Sequence, residues 1–196
     1  MEIGDIDSAW SAAFDETLAR GTQHKFQHIT FRTFLRPRDV IQFCNVALAE
    51  AKRRSPTDPH VQISNLDLKN CRMDYSRYLV RELDDEIAEA HPKWQTYLEV
   101  LRAVGHAKFT VGEFEQGYVI ANAKTALDKT PEEIMELFYD FSIIGFEKKA
   151  ASGSGLTHHF KYQDESVLFE RTARSYLVHR GLKEFLGITE TGSQDE

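Results

Sequence analysis

A proline between two arginines sets the start of a helix early in this chain. In Phe34-Leu35-Arg36-Pro37-Arg38-Asp39-Val40-Ile41, Pro37 suits the first helical turn, where its missing N–H would have had no intrahelical partner. The residue before a proline avoids the α region, so Arg36 enters from extended backbone. Arg36 and Arg38 are therefore held on a defined stretch of chain, which suits recognition of a carboxylate or a phosphate. The plainer reading is that one of them pairs with Asp39 or with a carboxylate of the next helix. The residues leave both readings open.

The apolar spacing around this point predicts helices. Trp10, Phe14 and Leu18 recur at i, i+4, i+8 and predict a first helix that ends at Gly21-Thr22. Residues 22–35 read as loop. The helix from about Pro37 to Arg53 carries Val40, Ile41, Cys44, Ala47, Leu48 and Ala51 as its buried stripe, with Lys52, Arg53 and Arg54 placed favourably at its C-terminus. Ser55-Pro56-Thr57-Asp58-Pro59 breaks the chain. Ser64 reads as an N-cap with Asp67 three residues on, opening a helix to about Ala90 that kinks near Asp74.

His91-Pro92 is the expected boundary between a helical bundle over residues 1–91 and a second domain over 92–188. Trp94 to Val104 predicts a helix stopped by Gly105. Thr110-Val111-Gly112-Glu113 and Thr130-Pro131-Glu132-Glu133 are capping boxes that open two more. Phe114, Tyr118, Val119 and Ile120 are expected inside the first of these. Ile143 to Lys149 and His158 to Gln163 then read as two strands joined by the flexible Ala150–Gly155 loop. Three helices followed by such a hairpin predict a winged helix, a helix-turn-helix variant with a small β-hairpin wing. Tyr176-Leu177-Val178 reads as a further strand and Leu182 to Leu186 as a last short helix. Residues 189–196 are expected to be a disordered tail.

The net charge of -7 argues against a generally basic nucleic-acid binder, although a local patch remains open. Cys44 and Cys71 are too few for a disulfide framework, and the chain shows neither a membrane-length apolar run nor a secretory n-region. The expectation is a reducing, cytoplasmic setting.

No catalytic constellation stands out, and there is no G-x-x-x-x-G-K-[ST] loop to cradle a triphosphate. His158 and His159 are neighbours on a strand, face opposite sides and cannot easily share a metal ion; no metal is expected. For DNA, the helix opened by Thr130 carries Glu132, Glu133, Glu136 and Asp140 and no lysine or arginine, which disfavours contact with phosphates. The hairpin is made basic by Lys148, Lys149, His158, His159 and Lys161, and Lys148, Lys149, His158 and Lys161 are its candidates for touching double-stranded DNA.

The stretch His28-Ile29-Thr30-Phe31-Arg32-Thr33-Phe34-Leu35-Arg36-Pro37-Arg38-Asp39-Val40-Ile41-Gln42-Phe43-Cys44-Asn45 resembles an "RT-x-x-RPRD" signature found after the ATPase core in a family of bacterial AAA/STAND-like P-loop ATPases, some of them linked to phage defence. Trp10 with Phe14, Tyr75-Ser76-Arg77, and Val178-His179-Arg180-Gly181-Leu182 are similar to further parts of that region. The resemblance implies a helical lid followed by a winged helix. It makes Arg36 or Arg38 the arginine that senses nucleotide phosphates, with ATP and Mg held by a core domain whose motifs this chain does not carry. The implied role is a non-catalytic module that regulates or couples that core, in cis or in trans, with a homo-oligomer among the arrangements; the alternative is a winged helix that binds duplex DNA through its wing. No membrane partner is implied.

Overall fold

Three helix starts are closed by reciprocal side-chain caps. The computed structural model describes residues 5–19, 21–149 and 155–190, with backbone alone at residues 5–7 and 149. The fold is mainly helical, with a small antiparallel sheet of four strands. It divides into two compact units, Met1–Arg77 and Tyr78–Glu196.

Unit 1 holds α1 (Asp5–Ala13), α2 (Lys25–Thr30), α3 (Pro37–Arg54), α4 (Asn65–Asn70) and the start of α5 (Arg72–Ile87). The first helix ends earlier than its apolar spacing predicts. Phe14 leaves it to form a parallel bridge with Ile63, and Leu18 lies beyond it, 41% exposed. Local polar chemistry wins here: the Asp15 carboxylate accepts the Thr17 N–H (3.0 Å) and the Lys25 ammonium (2.5 Å), and Lys25 Nζ also reaches the Thr17 carbonyl. That buried lysine anchors α2, a helix where loop was expected.

The buried stripe of α3 is Asp39, Phe43, Ala47 and Ala51: Ala47 and Ala51 are buried as expected, while Asp39 and Phe43 take the core positions expected of Val40, Ile41, Cys44 and Leu48. Ile41 is 60% exposed, and Val40, Cys44 and Leu48 are half-buried. Phe43 packs its ring 4.8 Å from that of Tyr75. Asp39 can take a core position because Arg36 neutralises it.

Ser64 and Asp67 form the expected capping box of α4. The helix does not run on to a kink at Asp74. The break comes at Cys71, between α4 and α5, where the thiol donates to the Leu68 carbonyl (3.5 Å). Burial pushes the Cys71 thiol up to about 12, so it behaves as a small apolar group.

The division into compact units falls inside α5, which runs on toward His91-Pro92. Across that dipeptide, Trp94 Nε1 and Gln95 Nε2 both donate to Asp84 Oδ1 of α5, at 2.7 and 2.8 Å. Unit 2 continues with α6 (Trp94–Val104), β1 (Lys108–Phe109), α7 (Val111–Thr125), α8 (Pro131–Asp140), β2 (Ile144–Lys149), β3 (Leu156–His159), a 3-10 turn (Lys161–Gln163), β4 (Tyr176–Val178) and α9 (Lys183–Leu186). Gly105 closes α6 in the left-handed region, φ 80°. Both threonine capping boxes, at Thr110 and Thr130, are present.

Helices α6 and α7 touch through backbone. A Cβ on Gly117 would lie 2.8 Å from Val104 Cγ2 and 2.9 Å from the Val100 carbonyl. This contact turns α7 so that Phe114, Gly117 and Ala121 are buried, while Val119 and Ile120, expected inside, are 67% and 49% exposed.

The sheet runs β1-β4-β2-β3. The expected hairpin is present as β2 paired with β3, but it is not the whole sheet: β4 lies on the other side of β2 and carries β1. β3 ends at His159 and not Gln163, because buried Phe160 turns the chain and Tyr162 N donates to Ser142 Oγ (3.0 Å). The tip of the hairpin, residues 150–154, lies outside the described residues. Thr189 and Glu190, expected in the tail, are tied to the fold. Thr189 bridges His106, Ala107 N donates to the Thr189 carbonyl (2.8 Å), and Glu190 pairs with Lys183 (2.5 Å). Residues 191–196 lie outside the described residues.

Candidate functional site

The helix mouth of α3 separates its two arginines. Arg36 is the extended N-cap, φ -78° and ψ 134°, as the following proline requires. Its Nε donates to Asp39 Oδ2 at 2.9 Å, and its guanidinium sits 5.3 Å from the centre of the Phe34 ring. Arg36 thus makes the Asp39 pairing of the plainer reading. Arg38, two residues on, is exposed. Around it along the chain, Phe31, Leu35 and Ile41 are 52%, 54% and 60% exposed. Leu35 holds a left-handed backbone, φ 58°, which a branched side chain adopts only under strain.

In unit 2 the sheet distributes the hairpin candidates over two faces. Phe146 pairs with His159 and Lys148 with Thr157, so Lys148 shares the face of Phe146 and His159. Glu147 pairs with His158 on the opposite face. Lys161 stands 5.7 Å from the Tyr139 ring centre. The side chain of Lys149 lies outside the described residues. Lys148 and His158 therefore do not form one surface.

Burial lowers both hairpin histidines below the ordinary imidazole value. At His158 the charge of Lys108 adds to burial and Glu147 partly opposes it; at His159 a backbone hydrogen bond at Asp164 partly opposes it. At neutral pH the hairpin draws its positive charge from lysine. Helix α8 is partly covered: Tyr139 donates to the Val167 carbonyl (2.8 Å), and Arg171 pairs with Glu136 (2.7 Å).

The structure instead gathers His158 with residues that the sequence did not mark as site candidates. A cavity of about 220 Å³ is lined by Lys108, His158, Leu177, Arg180, Lys183 and Glu190, together with Ala107 and Val178. Lys108 lies opposite Leu177 in the β1–β4 register, and its ammonium is 3.5 Å from Glu147 Oε1. Ser175 Oγ lies 3.4 Å from His158 Nε2. Alternation along Lys108-Phe109 could have placed Lys108 outward. Nothing in chain order places β4 between β1 and β2, which is what assembles the cluster. Among the described residues, no group of three or more His, Cys, Asp or Glu side chains is placed to share a metal ion, and no helix is long and apolar enough to cross a membrane.

No curated protein and no solved structure matches this chain. Residues 3–84, which include the α3 mouth with Arg36 and Arg38, match the family model described as a FunZ-associated C-terminal helical domain, and so this part of the chain is similar to a C-terminal helical region of a larger protein.

Proposed function

We propose that the chain is a non-catalytic module that regulates or couples a P-loop ATPase, presenting the α3 mouth to that ATPase's nucleotide-binding core. The observation that carries this reading is the surface around Arg38. An exposed arginine beside exposed Phe31, Leu35 and Ile41 has the side-chain chemistry of a protein interface centre, which is enriched in arginine and aromatic groups. Arg36 is engaged with Asp39 and Phe34, and Arg38 is the more exposed of the two arginines, so the phosphate-sensing role is assigned to Arg38. Strain at Leu35 fits a segment whose shape is set by what it meets. The match of residues 3–84 to a C-terminal helical domain supports an accessory role over a catalytic one.

In the same reading unit 2 is a winged helix. Its element order α6-β1-α7-α8-β2-β3 fits that pattern, with the β2–β3 hairpin as the wing. ATP and Mg would be held by the core alone.

The test is the ATP hydrolysis rate of the P-loop ATPase encoded in cis or beside this chain, measured with and without these residues. The rate should change several-fold, and Arg38→Ala should reproduce the loss while Arg36→Lys should not. A rate indifferent to both the module and Arg38→Ala, or ATP hydrolysis by this chain alone at an enzymatic rate, overturns the reading.

A further inference from the structure

A cavity of about 570 Å³ opens in unit 1, where α1 ends and α2 begins. Trp10, Phe14, Leu18 and Phe26 supply its apolar wall, and Asp15 and Glu16 bring carboxylates to it. Trp10 is half-buried and Phe26 is 55% exposed, so both rings keep surface that a ligand can cover. Phe14 stacks on Trp10 with ring centres 4.1 Å apart, and Phe26 meets Trp10 edge-on, with the two planes at 76°. Aromatic surface therefore borders the cavity in two orientations.

We infer that this cavity binds a small organic ammonium ion with an aromatic body, the ammonium donating to Asp15 and the ring lying against Trp10 and Phe26. Size is the first argument: the volume falls within the roughly 300–1,000 Å³ of pockets that enclose a small organic ligand. The Asp15 carboxylate is the second. Its Oδ1 accepts the Thr17 N–H (3.0 Å), the Thr17 hydroxyl (2.5 Å) and the Lys25 ammonium (2.5 Å). Among the described residues no donor is placed on Oδ2, so Oδ2 is the acceptor left for a ligand. Burial alone would raise the Asp15 carboxyl, but the bonds from Lys25 and Thr17 outweigh it and hold it below the ordinary 3.8. Asp15 is therefore an anion at neutral pH.

The third argument separates a cation from an anion. Lys25 also lines the cavity, but its ammonium already reaches four oxygens, the carbonyl and Oδ1 of Asp15 and the carbonyl and hydroxyl of Thr17. An ammonium has three protons, so Lys25 has none left for an anionic ligand. The faces of Trp10 and Phe26 carry the negative side of the ring quadrupole, which attracts a cation, and Glu16 stands exposed on the same wall. Lys25 offsets part of the Asp15 charge, so the rings must supply part of the attraction, and the body of the ligand matters as much as its head. The site shares no residue with the α3 mouth, and its test needs no ATPase.

The experiment titrates the full chain at pH 7.5 with 2-phenylethylamine, with 2-phenylethanol and with phenylacetate, which share a ring and differ in the head group. Binding is followed by calorimetry and by tryptophan fluorescence, in which Trp10 reports because Trp94 is only 1% exposed. Saturable binding of the amine is expected, tighter than the alcohol by at least about tenfold, the equivalent of one charged hydrogen bond, with no saturation by phenylacetate. Asp15→Asn should bring the amine down to the affinity of the alcohol and leave the alcohol unchanged. Phe26→Ala, at an exposed position, should weaken amine and alcohol alike by several-fold, and it stays informative if Asp15→Asn fails to fold. Absence of saturable amine binding to the natural chain overturns the inference. So does phenylacetate or the alcohol binding as tightly as the amine, or amine binding that Phe26→Ala leaves unchanged.

Discussion

Arg54 grips Asp67 with two hydrogen bonds, Nε at 3.1 Å and Nη2 at 2.9 Å, across thirteen residues of chain. Asp67 also accepts the Ser64 N–H (2.9 Å) and hydroxyl (2.7 Å), so one carboxylate caps α4 and ties it to the last residue of α3. Arg54 Nη2 donates as well to the Gln62 carbonyl (3.0 Å), closing the proline-rich break between the two helices.

The buried end of this pair is the sensitive one. Asp67 is 1% exposed, and Asp67→Ala should destabilise unit 1 by about 2–3 kcal/mol, through the lost cap and the lost ionic hydrogen bonds. Burial alone would raise its carboxyl, but the bonds from Arg54 and Ser64 outweigh that and hold it below the ordinary 3.8. A depressed carboxylate stabilises above its unfolded value, and that contribution is lost as pH falls through the folded value. Thermal unfolding of the natural chain should therefore lose stability below about pH 4, and the loss should be smaller in Asp67→Ala. Equal acid sensitivity in the two proteins would remove Asp67 as its source.

Gly117 should not accept a side chain. A Cβ there meets the Val100 carbonyl as well as a Val104 methyl, and a carbonyl cannot rotate away. Gly117→Ala should cost about 1–3 kcal/mol by urea denaturation. Adding Val104→Ala should fail to restore it, since the backbone contact remains. Full rescue by the double variant would show that the side chain alone sets the α6–α7 approach.

Leu35 separates stability from coupling. Its left-handed backbone favours glycine over alanine by about 1 kcal/mol, so Leu35→Gly should unfold at a higher denaturant concentration than Leu35→Ala. If the α3 mouth is a contact surface, both variants should weaken coupling to the ATPase alike. A glycine variant less stable than the alanine variant would mean that the native φ is not maintained in solution.

Any contact of the hairpin with duplex DNA should neutralise few phosphates. With both histidines lowered by burial, the hairpin's cations are Lys148, Lys149 and Lys161, so the slope of log affinity against log salt should be no steeper than about -3. Filter binding or anisotropy across a salt series gives this slope. A value near -6 would require a larger cationic surface than the hairpin supplies.

Much of the local structure was legible in order along the chain. Ser64 with Asp67, Thr110 with Glu113 and Thr130 with Glu133 each close a helix start by hydrogen bonds spanning three residues. Pro37 fixed the entry to α3, Gly105 the exit from α6, and the β2–β3 pairing was visible in the period-two pattern. These are decided by backbone chemistry within a few residues, and no distant partner can easily overrule them.

What only the tertiary structure decided depends on partners far along the chain. Phe43 and not Ile41 faces the core because Tyr75 and the neutralised Asp39 set the rotation of α3. Burying Lys25 against Asp15 makes α2 a helix where composition suggested loop. The pairing of β4 with both β1 and β2 brings Lys108, Arg180 and Lys183 to His158, and the burial of Asp39 gives Arg36 its carboxylate partner. Local sequence determined where the elements begin and end; long-range packing and ion pairing determined which of their faces, and therefore which charges, are presented together.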